Sequence, residues 1–221
     1  MSLRPFEVNP EVMACIRPMR ATDTDRVAQL HHAAMGSSLW ATMGLRFLKA
    51  LYRVLIDDEH FLGFVYETDG HIGGFIAGSQ DTDEMLRDTF RRTWLILGLA
   101  SLPASLNPST IRKLLQTARY TDTSGAAQMA ESLFCSFEPE LRGRRISGHI
   151  NKVLFDELLA RGHHHVKITT EVDNEGAKRQ LTSWGFEDAA RFDFYGKPMV
   201  RYELDLIASD RVEALSRHPA V

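Results

Sequence analysis

Phe137-Glu138-Pro139-Glu140-Leu141-Arg142-Gly143-Arg144-Arg145-Ile146-Ser147-Gly148 is the stretch on which the reading of this chain turns. Before it lies a strand-like run, Glu131 to Phe137. After it comes an amphipathic run, Arg145 to Arg161, with Ile146, Ile150, Val153, Leu154 and Leu158 on one helical face. The first N–H groups of a helix have no partner inside the helix, and the helix dipole adds positive potential there. A strand-to-helix junction of this kind suits an anion such as a pyrophosphate. Gly143 and Gly148 allow close approach of backbone, and Arg142, Arg144 and Arg145 add charge. The same residues also read as a solvated basic turn that caps a helix, and on their own they leave both readings open.

Downstream, Gly162 stops the helix, and His165 to Val172 is a β-branched strand. Asn174 to Trp184 reads as a short helix ended by Gly185. Arg191 to Tyr195 and Met199 to Leu206 pair around Gly196-Lys197-Pro198, and residues 207–221 form a tail. Upstream, Ala14 to Met19 reads as a first strand. A helix capped by Thr22 and Asp25 runs to about Met35, and a second carries Leu45, Leu48, Leu51, Tyr52 and Leu55. Phe61 to Glu67 and Ile72 to Ala77 flank Asp69-Gly70, the signature of a hairpin. Residues 81–123 break the rhythm. Asp83 caps one helix there, and Asn107-Pro108 opens another. About 40 residues bury little core by themselves, so this segment reads as a helical-hairpin insertion. The order implies an α/β fold with a mixed sheet, in one domain over residues 14–206.

Composition narrows the function classes. The chain has 221 residues, 44% hydrophobic and 25% charged, with net charge −3. That is ordinary globular composition, without the basic excess of a general nucleic-acid binder. Cys15 and Cys135, far apart, imply neither a disulfide framework nor a zinc site, and a reducing compartment is expected. The N-terminal residues carry no signal-peptide pattern, and the longest apolar run, Trp94 to Leu102, is too short to span a bilayer. The expectation is therefore a cytoplasmic protein without stable membrane insertion. His163-His164-His165 point different ways on entering a strand and make no metal site.

Two motifs together resemble the GNAT superfamily of acetyl-CoA-dependent N-acetyltransferases. One is Arg/Gln-x-x-Gly-x-Gly/Ala at the pyrophosphate loop. The other is Asn-x-x-Ala-x-x-x-Tyr-x-x-x-Gly-Phe on the following helix. Arg142, Asn174, Ala177, Gly185 and Phe186 match, and the element order fits from about Ala14 to Leu206 outside the insertion. The resemblance implies a mostly antiparallel mixed sheet flanked by helices. It also implies acetyl-CoA as cosubstrate, no metal, and a small-molecule or peptide amine as acceptor. Acceptor pockets of such proteins form from the first helices and variable loops, here Ser37 to Arg46 and the insertion. The insertion is expected to be a lid or a homodimer contact. Arg145 replaces the family's central glycine and Ser147 its Gly/Ala. A helix N-terminus with negative φ would accept Arg145, whose side chain then meets a CoA phosphate. Leu181 replaces the tyrosine that protonates the departing thiolate.

The resemblance assigns Glu131 as the base that deprotonates the amine. By strand alternation residues 131, 133, 135 and 137 share one face, and desolvation there should raise the carboxyl pKa. An N–H near Cys135 would polarise the thioester carbonyl, with Phe137 its partner along the pantetheine arm. Arg142, Gly143, Arg144, Arg145, Ser147 and Gly148 would hold the pyrophosphate, with Asn174 and Ala177 beside them. Cys135 itself reads as an inert buried thiol. Tyr195, in the Tyr-Gly-Lys-Pro-Met turn, is a second catalytic candidate in place of Leu181. The expected activity is direct acetyl transfer in a ternary complex. The alternative is a catalytically silent acyl-CoA-binding regulatory module.

Overall fold

A computed structural model describes residues 7–35, 39–89, 91, 129–194 and 196–208. Most of the expected insertion, the end of the tail and Tyr195 lie outside the described residues.

The chain opens with α1 (Pro10–Ala14), where Asn9 accepts a hydrogen bond from the Glu11 N–H and Pro10 follows it in the first turn. The strand expected from Ala14 is consequently shorter, β1 (Ile16–Pro18). Helix α2 (Thr24–Ala34) starts beside a 3-10 turn in which Asp23 accepts from the Arg20 N–H at 2.7 Å. The end is therefore fixed by Asp23 rather than by Thr22 and Asp25. After α3 (Leu39–Thr42) comes α4 (Leu45–Leu55), whose Phe47, Leu48, Leu51, Tyr52 and Leu55 are all buried. Strands β2 (Phe61–Thr68) and β3 (His71–Ser79) form the expected hairpin, with Asp69 and Gly70 at φ 52° and 76°. Both turn residues at positive φ match the twist of the flanking strands, which is why Asp-Gly sits there. Helix α5 follows at residues 82–89. Its cap is Asp81, which accepts from the Glu84 N–H at 2.9 Å, and not Asp83.

Next come β4 (Ala130–Phe137), α6 (Ile146–Ala160), β5 (His165–Glu171) and α7 (Glu175–Trp184), then β6 (Glu187–Phe194) and β7 (Lys197–Asp205). The seven strands of the described residues join one sheet in the order β1-β2-β3-β4-β5-β7-β6. Every neighbouring pair is antiparallel except β4 and β5. Two cores sandwich it. On one face Ile150, Leu154, Phe155 and Leu158 of α6 and Leu181 and Trp184 of α7 cover Ile76, Val166, Tyr202 and Leu204. On the other, Val27 and Leu30 of α2 and Phe47, Leu48 and Leu51 of α4 cover Val65, Phe75 and Ala77. This is the mixed α/β sheet expected from the sequence.

Two irregularities of the sheet shape its central seam. First, β4 and β5 pair only at Ala130↔Val166 and Glu131↔Lys167. Beyond those residues β4 stays with β3 as far as Phe137, and β5 stays with β7 as far as Glu171. The sheet therefore opens between residues 132–137 and 168–171. Second, Gly78 pairs with Ser132 and Ala77 with Phe134, so Leu133 is an extra residue in β4. A bulge of this kind bends its strand and shifts the side-chain alternation by one.

Candidate functional site

The bulge overturns the expectation that residues 131, 133, 135 and 137 share a face. Leu133 and Phe134 both pack with α2 and α4, and the Ser136 hydroxyl donates to the Leu30 carbonyl at 3.4 Å. Ala130, Cys135 and Phe137 pack with α6. Glu131 thus stands on the α2/α4 side, opposite Cys135 and Phe137.

Glu131 lies at the closed end of the opening, at the last β4–β5 pair, with 9% of its surface exposed. Its Oε2 accepts from the Thr82 hydroxyl at 2.9 Å and sits 3.7 Å from the Lys167 ammonium. Burial pushes its pKa above the ordinary glutamate value, while Lys167 and then Thr82 oppose the rise. The direction agrees with the expectation. Thr82 and Lys167 carry no signal in the sequence, because only the strand register brings them to Glu131. Cys135 sits 3.9 Å from the Asn151 amide nitrogen, and burial lifts its thiol pKa to about 12. A thiol with so high a pKa is not a nucleophile near neutrality.

At the far end of β4 the chain makes a short 3-10 turn, Pro139–Leu141, and enters the basic loop. Arg142 is extended, Gly143 has φ 78° and Arg145, the N-cap of α6, is left-handed at φ 60°, ψ 11°. Helix α6 therefore does not receive Arg145 at negative φ, as the sequence suggested. The residue adopts the conformation for which glycine is the usual choice. Its carbonyl is anchored, accepting from the Gly148 N–H at 3.0 Å and from the His149 ring at 2.9 Å. Among the described residues no side chain caps α6, so they leave the helix start open. Arg142, Arg144 and Arg145 are exposed, and among the described residues no ion pair is found for them. Arg144 lies close enough to Tyr66 to oppose the rise in its hydroxyl pKa that burial causes first and Cys15 second. Ser147 is half-buried, its carbonyl accepting from Asn151 at 2.7 Å, and Gly148 is buried.

Asn174 has a capping role. Its Oδ1 accepts from the Ala177 N–H at 3.1 Å and its Nδ2 donates to Thr170 at 3.2 Å. Leu181 lies in the core at 6% exposed and offers no proton. Among the described residues no group of His, Cys, Asp and Glu is arranged to hold a metal, and no helix is long and apolar enough to cross a membrane.

The left-handed arginine gives a direct stability prediction. A side chain at αL costs about 1–2 kcal/mol relative to glycine. Arg145→Gly should therefore raise the unfolding free energy by about 1 kcal/mol in urea titration. A variant less stable than wild type would mean that the arginine side chain makes compensating contacts.

No family model matches the chain, and no curated protein matches its sequence. Solved structures do match its architecture. The ribosomal-protein-alanine N-acetyltransferase of Brucella melitensis superposes with a TM-score of 0.58 at 16% identity, over 86% of this chain and 99% of that one. The ribosomal-protein-S18-alanine N-acetyltransferase of Escherichia coli gives 0.56 at 14% identity, over 86% and 92%. SsHAT gives 0.63 at 18% identity, over 86% and 96%. At such identities the likeness establishes the fold, and the chain has the GNAT-type fold.

Proposed function

We propose that the chain is an N-acetyltransferase that moves the acetyl group of acetyl-CoA to a primary amine in a ternary complex. The observation that carries this reading is the opened β4–β5 seam, with an uncapped, basic helix start at one end and buried Glu131 at the other. Six strand steps separate Glu131 from Phe137, roughly 20 Å at about 3.3 Å per residue. That suits an extended pantetheine arm between a pyrophosphate on the Arg142–Gly148 loop and a thioester near Glu131. The residues fit the ligand. Gly143 and the anchored Arg145 shape a backbone concavity, and Arg142, Arg144 and Arg145 supply charge without engaging carboxylates among the described residues. Two of the structural neighbours are N-acetyltransferases of ribosomal-protein alanine, which points the same way.

In this reading the Glu131 carboxylate takes a proton from the ammonium, directly or through water. The freed nitrogen attacks the thioester carbonyl and the C–N bond forms; as the C–S bond breaks to release CoA thiolate, the nitrogen gives its second proton to water, which leaves a neutral amide. Backbone N–H groups of β4 that face the seam would hold the carbonyl oxygen. The protein acts in the cytoplasm on a small-molecule or peptide amine. Tyr195 stays a candidate for protonating the thiolate. A catalytically silent acyl-CoA-binding module is the second reading, and Leu181 at the acid position favours it.

Thiol release from acetyl-CoA over a panel of amines, with CoA affinity measured in parallel, separates the two. Binding without release on any amine would decide for the silent module, and no binding would sink both. Arg142→Ala and Arg144→Ala should each weaken CoA about tenfold by removing one charge-assisted contact. Unchanged affinity in both variants would take the phosphates off this loop.

A further inference from the structure

The left-handed Arg145 is held from outside the loop by a buried histidine. His149, one turn into α6, is 2% exposed. Its Nε2 lies 2.9 Å from the Asn9 backbone nitrogen, and its Nδ1 lies 2.9 Å from the Arg145 carbonyl. The two partners fix the ring. A backbone N–H only donates, so Nε2 accepts and carries no proton. The Arg145 carbonyl only accepts, so Nδ1 carries the hydrogen and donates it. The imidazole is neutral and bridges two segments far apart in sequence. One is the residue that caps α1. The other is the residue that opens α6. Burial, the largest influence, lowers the His149 pKa, and the bond to Arg145 opposes it.

We infer that His149 is a positioning residue for CoA: its Nδ1–H fixes the Arg145 carbonyl, holds Arg145 left-handed, and thereby shapes the pyrophosphate loop. The inference rests on the acetyl-CoA reading of that loop. The physical reason is a conformational preference. Glycine adopts αL freely, whereas arginine at αL persists only when its surroundings impose it. Here the carbonyl carries the constraint, because its direction follows the backbone torsions of residue 145. Gly148 supplies one donor to that carbonyl from within the helix turn, and His149 supplies one from its side chain. The same helix shows a second side chain in the same role shortly after. Asn151 donates its amide N–H to the Ser147 carbonyl at 2.7 Å, with the same sequence separation of 4 as His149 and Arg145. An asparagine at position 149 can therefore keep the donor, whereas a leucine cannot.

The experiment compares His149→Asn with His149→Leu, each with Arg145 and in the Arg145→Gly background. Both variants lose the acceptor for the Asn9 N–H, so their difference isolates the bond to Arg145. KM for acetyl-CoA should rise about tenfold in His149→Leu with kcat within about twofold of wild type, and stay within about threefold in His149→Asn. In the Arg145→Gly background His149→Leu should cause no further loss, because glycine needs no external constraint. Amide hydrogen exchange across residues 143–148, measured without CoA, should quicken in His149→Leu and match wild type in His149→Asn. That readout judges His149 even if the wild type binds no CoA, in which case the acetyl-CoA reading alone fails. Equal losses and equal exchange in the asparagine and leucine variants would overturn the inference. So would a leucine penalty that persists undiminished with glycine at position 145.

Discussion

Glu131→Gln is expected to lower kcat about 10²- to 10⁴-fold at pH 7 while leaving acetyl-CoA affinity little changed. A protonated amine has no lone pair with which to attack, so direct transfer needs a group that removes the proton. Glutamine keeps the shape and still accepts from the Thr82 hydroxyl, but it cannot take a proton. The structure adds an electrostatic reason for choosing this residue. Burial raises the Glu131 pKa above the ordinary glutamate value, and Lys167 at 3.7 Å opposes the rise. The base is therefore unprotonated above its raised pKa, and the acid limb of kcat/KM should lie above the usual glutamate range. In Glu131→Gln that limb should vanish, and the deficit should narrow at high pH, where more of the amine is already neutral. Near-wild-type turnover of the variant on the true acceptor at pH 7 would remove Glu131 from the mechanism and pass the role to Tyr195 or to a backbone-held water.

The parts of this architecture that can be read from the sequence are those that short-range chemistry enforces. Asp69-Gly70 announces its hairpin because few residue pairs adopt two positive φ angles. The basic loop announces an anion site because charge, glycine and a helix start coincide within a few residues. The stretch around α7 is legible for the same reason, since Asn174 caps the helix that Gly185 ends. Asn9-Pro10 carries the same helix-start signal as Asn107-Pro108, yet its helix is a single short turn beside a strand, and the apolar pattern around it reads as strand alone. Strand β6 begins ahead of its expected start at Arg191 because Glu187-Asp188-Ala189-Ala190 has no β-branched or aromatic residue; β7 recruits it by pairing.

The hidden features depend on long-range register. Nothing in Ala130-Glu131-Ser132-Leu133-Phe134-Cys135 marks a bulge. It arises where β4 meets Ala77 and Gly78 of β3, and it moves Cys135 and Phe137 to the face opposite Glu131. The Glu131–Lys167 pair exists only through one step of parallel pairing between strands that a whole helix separates in sequence. The left-handed Arg145 contradicts the local preference of its own residue type. Local rules fail here at the loop where the proposed ligand binds, which is where conflicts between sequence preference and structure tend to concentrate.

His31 should make the protein lose about 3 kcal/mol of stability between pH 7 and pH 4. It sits on α2 at 0% exposed, with Nδ1 2.8 Å from the Tyr52 hydroxyl and its ring 4.5 Å from that of Phe134. Among the described residues its Nε2 finds no partner. Burial, and then the neighbouring His32, depress its pKa from 6.5 to about 4. Above pH 6.5 the ring is neutral in both folded and unfolded chains and contributes no pH dependence. Between 6.5 and 4 the unfolded chain takes up a proton that the folded chain refuses, so stability falls as pH falls. Below about 4 both states are protonated and the loss is complete. The fall from 6.5 to about 4 corresponds to roughly 3 kcal/mol. Urea unfolding at pH 7 and pH 4 for wild type and His31→Gln isolates the group, because glutamine can still meet Tyr52 and never titrates. The wild type should lose about 3 kcal/mol more than the variant over that interval. Parallel losses in the two proteins would show that His31 takes up its proton without opening the core, and that the acid sensitivity of the fold resides in its carboxylates.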